Sequence, residues 1–315
     1  MESVGEILGD AVTAEVAGAW SEALMALANL LISLEGKLYK EAEEKQWTGP
    51  RDFVITDIIE ETADIKSFRM VPSDNKKTIC PFQPGQYISV FEKPEGKKYF
   101  SPRHYTVTSQ PSDEFYQITV KKLRDYTNPN DPSLDGIMSN YLHTLKINDT
   151  IKLGPVFGPP IMDKGDKSRV AAFVSVGVGI TPTVSVLPQA LKDRPQVAVF
   201  HGDSNSASHA FRDQLTKLAN GNNDDDSKKK LILSTSYATP QEEDKLLPDY
   251  SEGRLDGQKI VESLRANDIN YQAGTDYYIC AGPKVSFTLV KELEALGVKK
   301  ENMHLEFFGP FMSTI

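Results

Sequence analysis

Metal and disulfide chemistry have little to work with in this chain. It carries two cysteines, Cys80 and Cys280, and five scattered histidines, His104, His143, His201, His209 and His304. Two cysteines alone cannot complete a tetrahedral zinc site or hold an iron–sulfur cluster. No two histidines stand at H-x-x-x-H spacing, so no helix face offers a metal pair. Positive charge is also short. The 35 Lys and Arg residues face 44 Asp and Glu, a net charge of -9, which excludes the basic face that nucleic-acid binding needs. No uninterrupted apolar run approaches the ~18–20 residues of a spanning helix. The acidic start, with Glu2, Glu6, Asp10 and Glu15, is unlike a secretory or transit signal. These absences predict a cytoplasmic protein with no bound metal, no nucleic-acid partner and no membrane partner. Any redox chemistry must come from an organic cofactor.

With 315 residues and 39% apolar content, the chain is long enough for two domains and an appendage. Residues 14–45 predict a long helix, because Trp20, Leu24, Leu27, Leu31, Leu34 and Leu38 alternate steps of four and three along one stripe. From Phe53 to Leu153 the pattern becomes short alternating segments: Phe53–Ile59, Ile65–Val71, Gln86–Phe91, Tyr105–Thr108, Phe115–Lys121 and Thr150–Leu153. Turns such as Pro84-Gly85 and Pro94-Glu95-Gly96 separate them, which predicts an antiparallel β-barrel. A loop at Asp125–Asp135 and a short helix at Ile137–Thr144 follow its fifth segment.

Beyond Pro159-Pro160 the period changes again. Arg169–Val176 is a nearly continuous apolar run, as expected of a parallel strand buried on both faces. Strands at 197–201, 231–235, 277–280 and 303–307 then alternate with helices at 183–191, 208–218, 257–264 and 285–296, leaving 238–253 as a loop. That order predicts a doubly wound parallel sheet. The ligand site of such a pair of domains lies at their junction, outside the carboxyl ends of the parallel strands. Gly177-Val178-Gly179 directly follows the buried strand, so a bulky ligand can reach the backbone there, and Pro182 suits a first helical turn. Asp203, just past the second parallel strand, can accept from a ribose hydroxyl and repel a 2′-phosphate.

Several segments together resemble the ferredoxin–NADP reductase-like flavoproteins and, more narrowly, the reductase portion of flavohaemoglobins, the nitric oxide dioxygenases. Pro84-Gly85-Gln86-Tyr87 and Arg103-x-Tyr105-Thr106 are similar to that family's flavin strands. Gly136-x-Met138-Ser139-Asn140 is similar to its pyrophosphate turn, and Gly177–Pro182 to its nicotinamide loop. Glu306-Phe307-Phe308-Gly309-Pro310 is similar to its C-terminus. The resemblance implies an NAD(P)H-dependent FAD oxidoreductase with domains at 50–161 (FAD) and 166–315 (NAD(P)). The cofactor contacts it implies are Gln86, Tyr87, Arg103, Tyr105, Thr106, Gly136, Met138 and Ser139 for FAD. For NADH, with NADPH also possible, they are Gly177, Gly179, Thr181, Pro182, Asp203, Gly282, Pro283, Glu306, Phe308 and Gly309. Arg103 would pair with the pyrophosphate, Tyr105 would lie against the isoalloxazine, Thr106 would bond near its N5, and Phe308 would cover its other face. Tyr105, Thr106 and Phe308 are thus the residues at the reacting atoms. Where relatives carry Cys-Gly-Pro, this chain has Cys280-Ala281-Gly282-Pro283, which leaves Cys280 out of the hydride path. The stretch Gly154–Pro160 departs from the family's Pro-x-Gly-Asp-Phe and is expected to reshape the domain junction.

Residues 1–46 resemble the last helices of a globin. No histidine precedes His104, so a proximal haem ligand is missing and haem is not expected in this chain. The leucine stripe at 20–38, having lost its bundle, would fold onto the reductase or pair with a second copy. Electrons would pass to a small acceptor or to a separate haem protein. Two alternatives stand beside this reading: a fragment of a complete haem-containing dioxygenase, and a non-catalytic flavin-binding remnant that serves as an interaction module.

Overall fold

The computed structural model describes residues 2–45, 47–74, 79–94, 102–111, 114–124, 135–221, 230–248 and 250–308. The chain divides into two compact units, Met1–Arg51 and Asp52–Ile315. The first holds a short helix α1 (Glu2–Leu8) and the long helix α2 (Ala14–Lys45). Trp20, Leu24, Leu27, Leu31, Leu34 and Leu38 lie exposed along α2. The expectation that no segment could span a membrane needs correction. By length and composition alone, the Ala14–Glu44 stretch is apolar enough to cross one, with a mean hydropathy of 1.4 in its most apolar 18-residue window. A search for unbroken apolar runs overlooks it because Glu22 interrupts the run without lowering the average far.

The second unit begins with six antiparallel strands: β1 (Arg51–Glu60), β2 (Ile65–Pro72), β3 (Tyr87–Val90), β4 (Arg103–Thr106), β5 (Tyr116–Lys121) and β6 (Thr150–Phe157). They form one sheet in the order β4-β3-β6-β1-β2-β5. The sheet curls until its ends meet: Val107 bridges Ile118, and the Thr108 amide donates to the Gln117 carbonyl at 2.7 Å. This bridge brings the two end strands together at one point, as in a barrel. Strand β6 runs four residues beyond its expected end. Its Gly154 and Pro155 lie opposite a register shift between Ile88 and Val90 of β3, where a bulge tolerates a residue without an N–H. Helix α3 (Ile137–Leu142) packs Met138 and Leu142 into this barrel.

The parallel sheet has the order β10-β9-β8-β7-β11-β12. Its strands are β7 (Val170–Val176), β8 (Val197–Asp203), β9 (Leu231–Tyr237), β10 (Tyr250–Glu252), β11 (Thr275–Ala281) and β12 (Met303–Phe307). The helices are α4 (Ile180–Asp193), α5 (Arg212–Gly221), α6 (Gly257–Ala266) and α7 (Pro283–Ala295). Alternate residues of β7 serve opposite cores. Ala171 and Phe173 join a cluster with residues of α4 and α5, while Ala172 and Val174 join one with residues of α6 and α7. Strand β10 lies inside the segment expected to be a loop; three residues beside charged neighbours leave no periodic signal.

The barrel joins this sheet through a strap, residues 158–169. Arg194, immediately after α4 and 1% exposed, holds it down. Its guanidinium donates to the carbonyls of Lys164, Asp166 and Arg169, to the Tyr278 hydroxyl at 2.6 Å and to Asp276 Oδ2 at 3.1 Å. Asp276, equally buried, also accepts from the Asp166 amide at 2.6 Å and from Arg169 at 3.2 Å. Gly165 has φ +86°, and a Cβ there would overlap Asp276 Oδ2. A buried cation stripped of its anion is strongly destabilising. Asp276→Ala should therefore lower stability by about 3–5 kcal/mol, read as a fall in the urea midpoint, and an unchanged midpoint would show that the clamp does not stabilise the fold.

Candidate active site

The order of the parallel sheet reverses at β7. Strands β8 and β9 lie on one side of it and β11 on the other. Crossovers diverge at such a point and leave a crevice at the strands' carboxyl ends. Two glycines stand there. Gly177 follows β7 with φ +56°, and Gly282 follows β11; a Cβ on either would meet nothing within 4 Å. Both are open backbone, which suits the approach of a flat ring. Gly179 differs from both. A Cβ there would overlap the Cys280 carbonyl oxygen, so the absence of a side chain lets the turn pack on β11. Thr181 is buried and its hydroxyl donates to the Val178 carbonyl at 3.1 Å. Pro182 lies in the first turn of α4, followed by Thr183, and both are buried. Pro283 opens α7, with Gly282 as its N-cap.

Strands β3 and β4 present the barrel's side. They pair Tyr87 with Thr106 and Val90 with Arg103. Arg103 is exposed, and its one described hydrogen bond runs to the neighbouring Pro102 carbonyl. A guanidinium with no carboxylate partner among the described residues, beside a half-buried aromatic, fits a pyrophosphate. Tyr105 is that aromatic, and burial pushes its phenol up to about 12, so it stays neutral. Thr106 is buried beneath it. Tyr87 lies against His104, ring centroids 4.9 Å apart, and against Gly158, where a Cβ would fall 2.8 Å from the Tyr87 ring. The His104 Nδ1 is 2.8 Å from the Ser89 hydroxyl.

Other expected contacts have partners within the protein. The Gln86 side chain bridges the Gly158 carbonyl at 2.7 Å and the Gln83 amide at 2.8 Å. Met138 is buried in the barrel. The Ser139 hydroxyl donates to the Gly136 carbonyl and accepts from the Leu123 amide, both at 3.2 Å. Gly136 lacks room for a side chain, since a Cβ would sit 2.6 Å from Ser139 Oγ. Asp203 Oδ1 accepts from the Ser204 amide at 2.7 Å and from Ser208 Oγ at 2.6 Å, and Oδ2 lies 3.5 Å from His201 Nε2. Burial opposes its charge, but the bonds from His201, Ser208 and Ser204 outweigh it and hold the carboxyl below its ordinary range. Asp203 thus carries a fixed negative charge, its oxygens held by neighbouring groups.

Strand β12 brings Glu306 opposite Cys280, and both line a small cavity with Pro182 and Thr183. Burial raises the Glu306 carboxyl, with Lys164 opposing; burial also pushes the Cys280 thiol up, which keeps it protonated and a poor nucleophile. Phe308 follows the strand and is 37% exposed. Gly309 and Pro310 lie outside the described residues.

Sequence reasoning missed Ser185. It is fully buried on α4, yet its hydroxyl accepts from the Gly85 amide at 2.9 Å and donates to the Val107 carbonyl at 2.8 Å. Only its polarity among buried aliphatic neighbours could have signalled it. Gly179→Ala should cost more than about 3 kcal/mol, the scale of a badly overpacked core, because it sets side chain against backbone. Thermal unfolding checks this, and a midpoint equal to that of the natural chain would mean that the turn gives way freely.

Comparison with known proteins agrees with this division of labour. Residues 52–158 match the oxidoreductase FAD-binding domain model, and residues 173–305 match the oxidoreductase NAD-binding domain model. The flavohemoprotein of Bacillus subtilis is 31% identical over 99% of this chain and 73% of its own length. That of Rhizobium meliloti is 34% identical over 98% and 73%. Among solved structures, the flavohem-like FAD/NAD-binding domain of nitric oxide dioxygenase from Vibrio cholerae is 27% identical, with a TM-score of 0.67 over 82% of this chain and 99% of that one. The flavohemoglobin of Malassezia yamatoensis, 22% identical, shares the fold with a TM-score of 0.77 over 98% of this chain and 72% of that one. A barrel that binds FAD and a sheet that binds NAD, in one chain so related along its length, make this protein a member of the flavohaemoprotein family and an NAD(P)H-dependent flavin oxidoreductase.

Proposed function

We propose that the chain takes hydride from NADH in preference to NADPH and passes electrons onward to a small acceptor or to a separate haem protein, in the cytosol. The observation that carries the reading is the pair of open glycines at the sheet's switch point, taken with an exposed Arg103 and a half-buried Tyr105 on the barrel. When bound, FAD supplies the two-electron chemistry, accepting hydride at its ring system. The protein's own part is position and electrostatics. Arg103 anchors the pyrophosphate, Tyr105 and Thr106 fix the ring's place, and Phe308 shields its other face. Gly177 and Gly282 let the nicotinamide approach the backbone. The charge of Asp203 stands where a 2′-phosphate would meet repulsion. The family-model spans at 52–158 and 173–305 support domains at 50–161 and 166–315.

This reading expects purified protein to bind about one FAD per chain, a single site. NADH under anaerobic conditions should bleach its visible bands, with kcat/KM for NADH above that for NADPH. Protein that binds no added FAD, or whose bound FAD is not bleached, would favour the non-catalytic alternative.

The α2 stripe supports self-association. Its steps of four and three are a heptad repeat, and Glu22, Asn29, Gly36 and Glu43 recur every seven residues on the face opposite it. The leucine seam with Glu22, Asn29 and Glu43 behind it suits a second helix of the same period better than lipid on all sides. Sedimentation equilibrium should give a dimer that Leu27→Glu with Leu31→Glu converts to a monomer; a monomeric natural chain would rule the pairing out.

A further inference from the structure

The nicotinamide loop and the flavin strands belong to different sheets, so something must set the distance between them. Apolar packing does part of this. Ile161 of the strap fills the space beside Gly85, and Ile65 of the barrel lies in the same core cluster as Val184 and Leu187 of α4. Such packing is non-directional and leaves two surfaces free to slide by a fraction of an ångström. A hydrogen bond does not.

Ser185 supplies that constraint with one atom. It stands one turn beyond Thr181 on the helix that the nicotinamide loop opens. A serine inside a helix ordinarily bonds back to the carbonyl four residues earlier. The hydroxyl of Ser185 instead reaches across to the barrel, to partners 100 and 78 residues away in sequence. Gly85 belongs to the turn that leads into β3, two residues before Tyr87. Val107 directly follows Thr106, the last residue of β4. Since β3 and β4 pair Tyr87 with Thr106, the Ser185 oxygen is tied to both flavin strands at their paired end. It accepts from one and donates to the other, so both its position and its proton are settled. Gly85 has φ +88°, a turn conformation that directs its amide at α4. The Gln110 side chain adds a longer contact, 3.4 Å, to the Ser185 carbonyl.

We propose that Ser185 is a positioning residue for hydride transfer: through Gly85 and Val107 it holds the nicotinamide loop at a fixed distance and angle from the flavin strands. It touches neither cofactor. The inference rests on the proposed NADH-to-FAD reading and adds a residue to it. A misplacement of about 1 Å at reacting atoms can cost 10²-fold in rate, whereas the same slack hardly alters the binding of either cofactor to its own sheet.

Ser185→Ala removes both bonds and little volume. In the FAD-loaded variant, flavin content and the KM for NADH should stay within about threefold. Flavin reduction at saturating NADH should fall about tenfold or more, inside the range that misplacement can cause, and Ser185→Thr, which keeps the hydroxyl, should recover most of it. A second readout needs no turnover. The Gly85 amide should exchange with solvent as slowly as the barrel core in the natural chain, and about tenfold or more faster in Ser185→Ala, the effect of losing one net hydrogen bond. The proposal is overturned if the folded Ala variant reduces flavin at the natural rate, or if the Gly85 amide of the natural chain is unprotected, a result available even where the variant does not fold. Natural protein that binds FAD but is not bleached by NADH would instead overturn the proposed function itself.

Discussion

Two sheets of different design must be held as one body, and helix α4 is the member on which both depend. Its N-terminal turn carries the loop after β7. Its middle is tied to the barrel through Ser185, and the residue at its C-terminal end, Arg194, grips the strap between the sheets. In between, Ile180, Val184, Leu187 and Ala190 are buried in the core they share with β7, β8 and α5. Polar fastening and apolar burial thus act on the same element. Hydrophobic burial supplies most of the favourable free energy, and the buried polar groups decide which of many similar packings is adopted.

The interior carries more charge and polarity than a simple core. Arg194, Asp276, Asp244 and Asn302 are all 2% exposed or less. Asn302 accepts from Arg169 at 2.6 Å and donates to the Gln272 carbonyl, which continues the Arg194–Asp276 network toward β12. His201 and His209 stack 4.1 Å apart behind Asp203, with His209 2.9 Å from the Tyr237 hydroxyl. Burial drives the His209 imidazole well below its usual range, and the neighbouring His201 and Arg212 push the same way. It therefore stays neutral.

Much of this was legible from the order of residues. The change from alternating to continuous apolar segments separates barrel from parallel sheet, because a strand wetted on one face must alternate and one covered on both need not. The segments around Gly177 and Glu306 pointed to the carboxyl ends of the parallel strands, where they lie. Individual side chains were less legible. A motif carries spacing but not direction, so it did not show that the Gln86 and Ser139 side chains bond within the protein or that Met138 is buried. The two glycines of Gly177-Val178-Gly179 looked equivalent, yet one faces open space and the other faces the Cys280 carbonyl. Arg194 bears no local signal, and Ser185 only its polarity among aliphatic neighbours, since their partners lie far off along the chain. Strand β10 was missed because three residues are too few to show a period.

The strap between the sheets has a bearing on how modules of this kind can be recombined. Linkers between domains are commonly solvated segments crossed by few contacts. Here Gly165 has no room for a side chain, and the carbonyls on either side of it belong to a cation that the parallel sheet supplies. A foreign nucleotide-binding sheet grafted behind this barrel would bring its own chain across that span without the matching arginine, aspartate and tyrosine. The joint is part of the sheet's own interior, and a workable chimera would have to carry Gly165, Arg194, Asp276 and Tyr278 as a set.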